Sequence, residues 1–201
     1  MKKQNLLFIG IFFLFLFGIQ VESKAQLQAP AASPAASVSQ NVGFTKISID
    51  YSSPAVKGRK IFGEIEKYGV TWRAGANAAT MIEFSTPVSI DGKNLRAGKY
   101  SIFMTPEADG NWTVRLNAKG NSVFNYMKDG KIDEEALAKD DVVAVKVKAE
   151  QLPAVQERLQ YSISAENNKV AKITMSWENV SVSFMVDTQV DQKMEAFKAT
   201  F

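Results

Sequence analysis

Between Asp50 and Glu83 the chain reads DYSSPAVKGRKIFGEIEKYGVTWRAGANAATMIE, and side chains able to recognise a ligand are crowded there. Tyr51, Lys57, Arg59, Trp72, Arg73 and Asn77 alternate with Pro54, Gly58, Gly63, Gly69 and Gly75. Closely spaced glycines make a tight loop with backbone angles that other residues avoid. Arginine forks and asparagine amides fix polar groups, and aromatic faces cover apolar ones. The pattern points to a concavity for a glycan or another small polar or anionic ligand, formed through the 51–77 loop with those six side chains around it. Gly58, Gly69 and Gly75 are expected to let the backbone come close. Lys57, Arg59 and Lys60 flank Gly58 and would form an anion site with loop N–H groups. The same residues also have a structural use. Arg73 could tie down loop carbonyls, Asn77 could hold a left-handed turn, and the cations could simply be solvated.

Several chemistries are excluded. The chain has no Cys and no His, so disulfides, Cys/His zinc sites and histidine-based triads are absent. Ser53 and Lys57 are one residue too far apart for a Ser-x-x-Lys nucleophile. No Asp-x-Asp-x-Asp-Gly calcium loop occurs. Asp50, Glu64, Glu66 and Glu83 are the acids of the segment and leave one catalytic alternative, a carboxylate-based hydrolase without histidine. A purely structural role in the cell envelope is the third reading. No catalytic residue, metal or cofactor is assigned.

The strings Ser53-Pro54-x-Val56-Lys57-Gly58-Arg59-x-Ile61-Phe62-Gly63, Tyr68-Gly69-x-x-Trp72-Arg73-x-Gly75-Ala76-Asn77-x-x-Thr80 and Gly92-Lys93-x-Leu95-x-Ala97-Gly98-x-Tyr100-Ser101 resemble the DUF2911 family. The likeness continues through Trp112-Thr113-Val114, Asp141-Val142-Val143 and Trp177-Glu178, from about residue 44 to 187. It departs from the family pattern at Lys67, where proline is usual, and at Ala78, where glutamate is frequent. The resemblance implies an exported bacterial β-rich domain, of a kind common in the Bacteroidetes, and carries no activity.

The elements that must position these side chains read mainly as strands. Short alternating runs recur, with turns such as Asp91-Gly92 and Asp109-Gly110 between them. Residues 171–177 and 180–186 read as a hairpin about Glu178-Asn179. The fold class expected is mainly β, an antiparallel β-sandwich of jelly-roll type, over residues 41–201. Two helices interrupt it. Asp133 to Lys139, in a loop from Ala118 to Asp141 that is longer than is usual for the family, runs from acidic to basic, in the order the helix dipole favours. Val190, Met194, Phe197 and Phe201 form one stripe of a C-terminal helix expected to pack on the sandwich.

Ahead of the domain, Lys2 and Lys3 precede a 14-residue apolar run, Leu6 to Ile19, and Ser23-Lys24-Ala25 follows. This is the pattern of a cleaved secretory signal over residues 1–25. Residues 26–40 are rich in Ala, Pro and Ser and read as a flexible tether. Of 24 basic and 21 acidic residues, the signal takes three lysines and one glutamate, which leaves a net charge of +1. The exported chain is therefore expected in the periplasm or outside the cell. Neither nucleic acid nor, after cleavage, a membrane is an expected partner.

Overall fold

Alternating side chains become an antiparallel sheet in the computed structural model, which describes residues 29–120 and 122–200. The expected signal segment 1–25 lies outside those residues. Nine strands make one sheet. They are β1 (Ala35–Val42), β2 (Thr45–Ser52), β3 (Met81–Phe84), β4 (Val88–Ile90), β5 (Lys93–Leu95), β6 (Gly98–Thr105), β7 (Asn111–Asn117), β10 (Asp141–Glu166) and β11 (Val170–Asp187). Their order is β1-β2-β3-β6-β7-β10-β11-β4-β5. Two further strands, β8 (Met127–Lys128) and β9 (Lys131–Ile132), form a small separate ribbon.

The sheet covers itself because its two longest strands turn. The first leg of β10 pairs with β7 from Asp141 to Lys148, and from Ala149 its partner is β11. Register shifts between Gln151 and Gln160 mark the bend, which includes Pro153, a residue with no amide N–H for a ladder. β11 doubles back at Glu178, whose φ is 56°. Its ends lie side by side, since Thr188 N–H donates to Lys169 O at 3.0 Å. Thr174 and Ser183 hydroxyls meet across the two legs at 2.8 Å. The 171–177/180–186 hairpin is thus present as expected. Its outer neighbours are the two legs of β10, a Greek-key arrangement.

The sheet also closes toward β2. Past its end, Val56 N–H donates to Glu157 O at 2.8 Å, and Leu159 N–H donates to Pro54 O at 2.9 Å. The layers therefore face each other across one apolar core. Ile47, Ile82, Ile102 and Leu116 come from one side and Leu159, Ile173, Met175 and Val182 from the other. The architecture is mainly β and antiparallel, as expected.

Three expectations need correction. The stretch 26–40 is not a tether throughout, because Ala35 to Gln40 belong to β1 and pair residue by residue with β2. Neither Pro30 nor Pro34 lies within that strand, and Val38 packs against the core. Secondly, the C-terminal helix (Val190–Lys198) buries none of its residues. It is held by a polar anchor instead. Lys193 Nζ donates to Thr86 Oγ1 at 2.6 Å, Thr188 O at 2.7 Å and Pro87 O at 2.8 Å. Met194 remains exposed, and Phe201 lies outside the described residues. Lastly, the long connection after β7 is structured. A 3₁₀ turn (Val123–Tyr126), the β8–β9 ribbon and the helix Glu134–Asp140 form an excursion that packs against Phe103 of β6.

The excursion has its own small core. Phe103 points out of β6 and packs with Val123, Tyr126 and Leu137. This explains why β6 is buried from Tyr100 to Thr105 without alternation. Polar contacts add to it. Arg115 Nη1 donates to Asp141 Oδ2 at 2.8 Å, and the Tyr126 hydroxyl donates to Asp140 Oδ2 at 2.9 Å. Burial raises the Asp141 pKa, and the Arg115 guanidinium partly offsets that rise.

Candidate functional site

The 54–77 loop is built on two buried anchors, Ile61 and Phe62. The Ile61 carbonyl accepts from Ile65 N–H at 2.9 Å and Glu66 N–H at 3.0 Å, which closes a tight knuckle and turns Ile65 and Glu66 outward. The chain then runs along the end of β6. Gly69 N–H donates to Pro106 O at 2.8 Å, and Trp72 exchanges backbone bonds with Met104 at 2.9 and 3.1 Å. The Thr71 and Thr105 hydroxyls meet at 2.7 Å. This pairing sends the Trp72 ring into the core. It stacks on Trp177 with centroids 5.8 Å apart, beside Phe62.

The backbone that carries Arg73 is held firmly. The next residue, Ala74, stands in the left-handed region at φ 51°, which costs a residue with a Cβ about 1 kcal/mol. Its carbonyl accepts from the buried Tyr161 hydroxyl at 2.8 Å and from Thr80 Oγ1 at 3.0 Å. Burial raises the Tyr161 pKa, so this phenol stays a donor. Gly75 is needed for space, since a Cβ there would stand 2.5 Å from Thr80 Oγ1.

Loop and excursion enclose a cavity of about 610 Å³. Its walls include Ile65, Val70, Phe124 and Met127, all large apolar side chains that remain exposed. Charged groups reach it from both sides: Glu66, Lys67 and Arg73 from the loop, Lys131 and Glu134 from the excursion. The Arg73 guanidinium lies over the Phe124 ring, 5.1 Å from its centroid. Its Nε is buried without a partner, and the side chain makes no hydrogen bond to any described residue. Glu66 has no side-chain hydrogen bond among the described residues either. Glu66 and Arg73 form no ion pair within 4.0 Å, although each borders the same cavity. Burial pushes the Glu66 carboxyl up from 4.5 to about 6, against the lowering effect of Arg73.

The six expected ligand contacts do not converge. Trp72 and Arg73 line the cavity, Trp72 from the core. Tyr51 lies in a separate shallow depression with Ala35, Ala36 and Ala78. Its ring packs edge-on to Tyr161 at 5.0 Å. Asn77 holds a left-handed turn at φ 56°, and its amide donates to Ser33 O at 3.0 Å. Arg59 is a strut, donating to Val56 O at 2.9 Å and Ala55 O at 2.6 Å. The Lys57 backbone N–H donates to Glu157 Oε1 at 2.9 Å, and Lys57, Arg59 and Lys60 are not among the residues that line the cavity. A Cβ at Gly58 or Gly69 would meet nothing within 4 Å, so these two supply turn angles and not closeness. Phe124, Met127 and Lys131 were not among the expected contacts. Their only signal was the unusual length of the connection that holds them.

A family model described as a protein of unknown function, DUF2911, matches residues 33–186. No curated protein and no solved structure matches the chain. The match takes in β1, the 54–77 loop, the excursion and nearly all of β11, so the chain belongs to the DUF2911 family.

Proposed function

We propose that this chain is an exported binding protein, and that the cavity between the 65–73 segment and the excursion receives a small ligand with an acidic group. One observation carries the reading. Arg73 brings a planar fork of donors to a cavity wall and spends none of them on a described residue. A guanidinium used for architecture looks different, as Arg59 does with two carbonyls. An acidic group bound there would gain charge-assisted, two-pronged hydrogen bonds. Phe124, Met127, Val70 and Ile65 would cover the rest of the ligand. Export is supported by the basic, apolar and small-residue pattern of residues 1–25.

The test is a calorimetric screen with uronic acids, hydroxy acids, amino acids and short peptides against the parent chain and Arg73→Gln. Binding of an acidic compound that the variant loses, with the melting temperature within about 2 °C of the parent, is the expected result. A fall of several degrees on losing Arg73, with no acidic compound bound, would reject the site and make Arg73 architectural.

The hydrolase reading keeps one supporting feature: two carboxyl groups, Glu66 and Glu134, line the cavity, and Glu66 titrates at about 6. Asp50 and Glu83, which the sequence offered as partners, lie elsewhere; Glu83 pairs with Lys99 at 3.4 Å. Turnover of aryl glycosides that Glu66→Gln abolishes would favour catalysis over binding.

A further inference from the structure

Two charged groups of opposite sign, neither hydrogen-bonded through its side chain to a described residue, share one apolar-walled cavity. Among the described residues Arg73 makes no side-chain hydrogen bond, Glu66 accepts none at its carboxyl group, and the two form no ion pair within 4.0 Å. A simple anion would satisfy Arg73 and place a second negative charge beside Glu66. An apolar ligand would leave both groups unanswered, which is costly in a partly buried place. A ligand with an acid and an amine answers both. We infer that the ligand class of this cavity is an apolar zwitterion, an apolar α-amino acid or short apolar peptide, its carboxylate on Arg73 and its ammonium on Glu66. The inference rests on the acidic-ligand reading and adds the second contact.

The walls fit that class. Ile65, Val70, Phe124 and Met127 offer an apolar body a surface that the protein leaves uncovered. The volume of about 610 Å³ lies within the range of small-ligand sites and is ample for a dipeptide. The other charged groups facing Glu66 across the cavity are Lys67, Lys131 and Glu134. Glu134 is already engaged, with Arg115 Nη2 3.5 Å from its carboxylate. Glu66 is therefore the carboxylate left for an ammonium group.

Acidity separates this class from a plain anion. Glu66 must be ionised to hold an ammonium, so a zwitterion loses affinity as the pH falls through about 6, where Glu66 takes up its proton. An acid without an amine behaves in the opposite way, because protonation removes its repulsion from Glu66.

The probes are phenylalanine and the dipeptide Leu-Phe, each with its N-acetyl derivative, titrated by calorimetry into the full chain at pH 7 and pH 5. The free zwitterions are expected to bind at pH 7 at least ~10-fold more tightly than the N-acetyl acids, and to weaken at pH 5. Glu66→Gln is expected to erase that preference and keep the N-acetyl acids. Arg73→Gln is expected to lose both, and Arg73→Lys to recover part. Circular dichroism of each variant establishes that it is folded. Equal affinity of acetylated and free forms, or a preference that survives Glu66→Gln, would overturn the zwitterion inference and leave the acidic-ligand reading standing. Failure of all four probes would also overturn it, while the broader screen with Arg73→Gln decides the acidic-ligand reading separately.

Discussion

Three arginines show how one side chain serves different ends. Arg59 is spent on carbonyls of its own loop, and Arg115 on Asp141 and Glu134. Arg73, in the loop segment beside the cavity, donates to nothing described. Residue type could not distinguish them, because the difference lies in which carbonyls and carboxylates the fold brings within reach. Glu66 is the complementary case. Its carboxyl holds a proton to about pH 6 in the folded chain, against 4.5 as its reference value. Between those values the folded state binds more protons than the unfolded one, so stability rises as the pH falls. Removing the charge should remove that dependence. Glu66→Gln is expected to stabilise the chain by ~1–2 kcal/mol at pH 7.5 and to change little below pH 4.5, as read from urea unfolding at both values. A second expectation concerns Tyr161, whose hydroxyl holds the strained Ala74 carbonyl. Tyr161→Phe should cost ~1–2 kcal/mol in the same assay and loosen the setting of Arg73.

At the scale of elements, the excursion is the less visible half of the site. Its helix was legible because Asp133 and the acidic-to-basic order announce it; Asp133 Oδ1 accepts from Ala136 N–H at 2.9 Å. Its placement was not legible. Phe103 sits in a strand whose neighbours all read as core, and only the fold shows that it faces outward to meet Leu137. Leu137 is fully buried in this small cluster. Leu137→Ala should cost ~2–5 kcal/mol, the range for truncating a buried leucine. Because the excursion supplies Phe124, Met127 and Lys131 to the cavity, the same variant should also weaken ligand binding. Urea unfolding and calorimetry on one preparation check both. The C-terminal helix teaches the opposite lesson. Its apolar stripe was plain in the sequence, yet no residue of the helix is buried, and Lys193 ties it to oxygens of Thr86, Pro87 and Thr188.

Across the whole molecule, the sheet depends on residues that look like linker. β1 pairs with β2 over eight positions from Ala35 to Val42. A chain beginning at Asn41 should melt several degrees below one beginning at Ala31, because it uncovers the β2 edge and removes Val38 from the core. Scanning calorimetry of the two chains checks this. Alternation, turn residues and the Glu178-Asn179 hairpin were local properties, carried by residues adjacent in the chain, and they specified an antiparallel β fold. The crowding of glycine, arginine and aromatic residues from 50 to 83 likewise marked the segment that reaches the cavity. Which of those residues meet depended on contacts far apart in sequence. Trp72 went inward because it pairs with Met104, and Arg59 was consumed by its own loop. Phe124 arrived from a connection with no motif of its own. Periodicity determined strands and helices because each depends on a few neighbouring residues. Only tertiary structure decided the site, because a charge is spent or free according to what the fold places beside it.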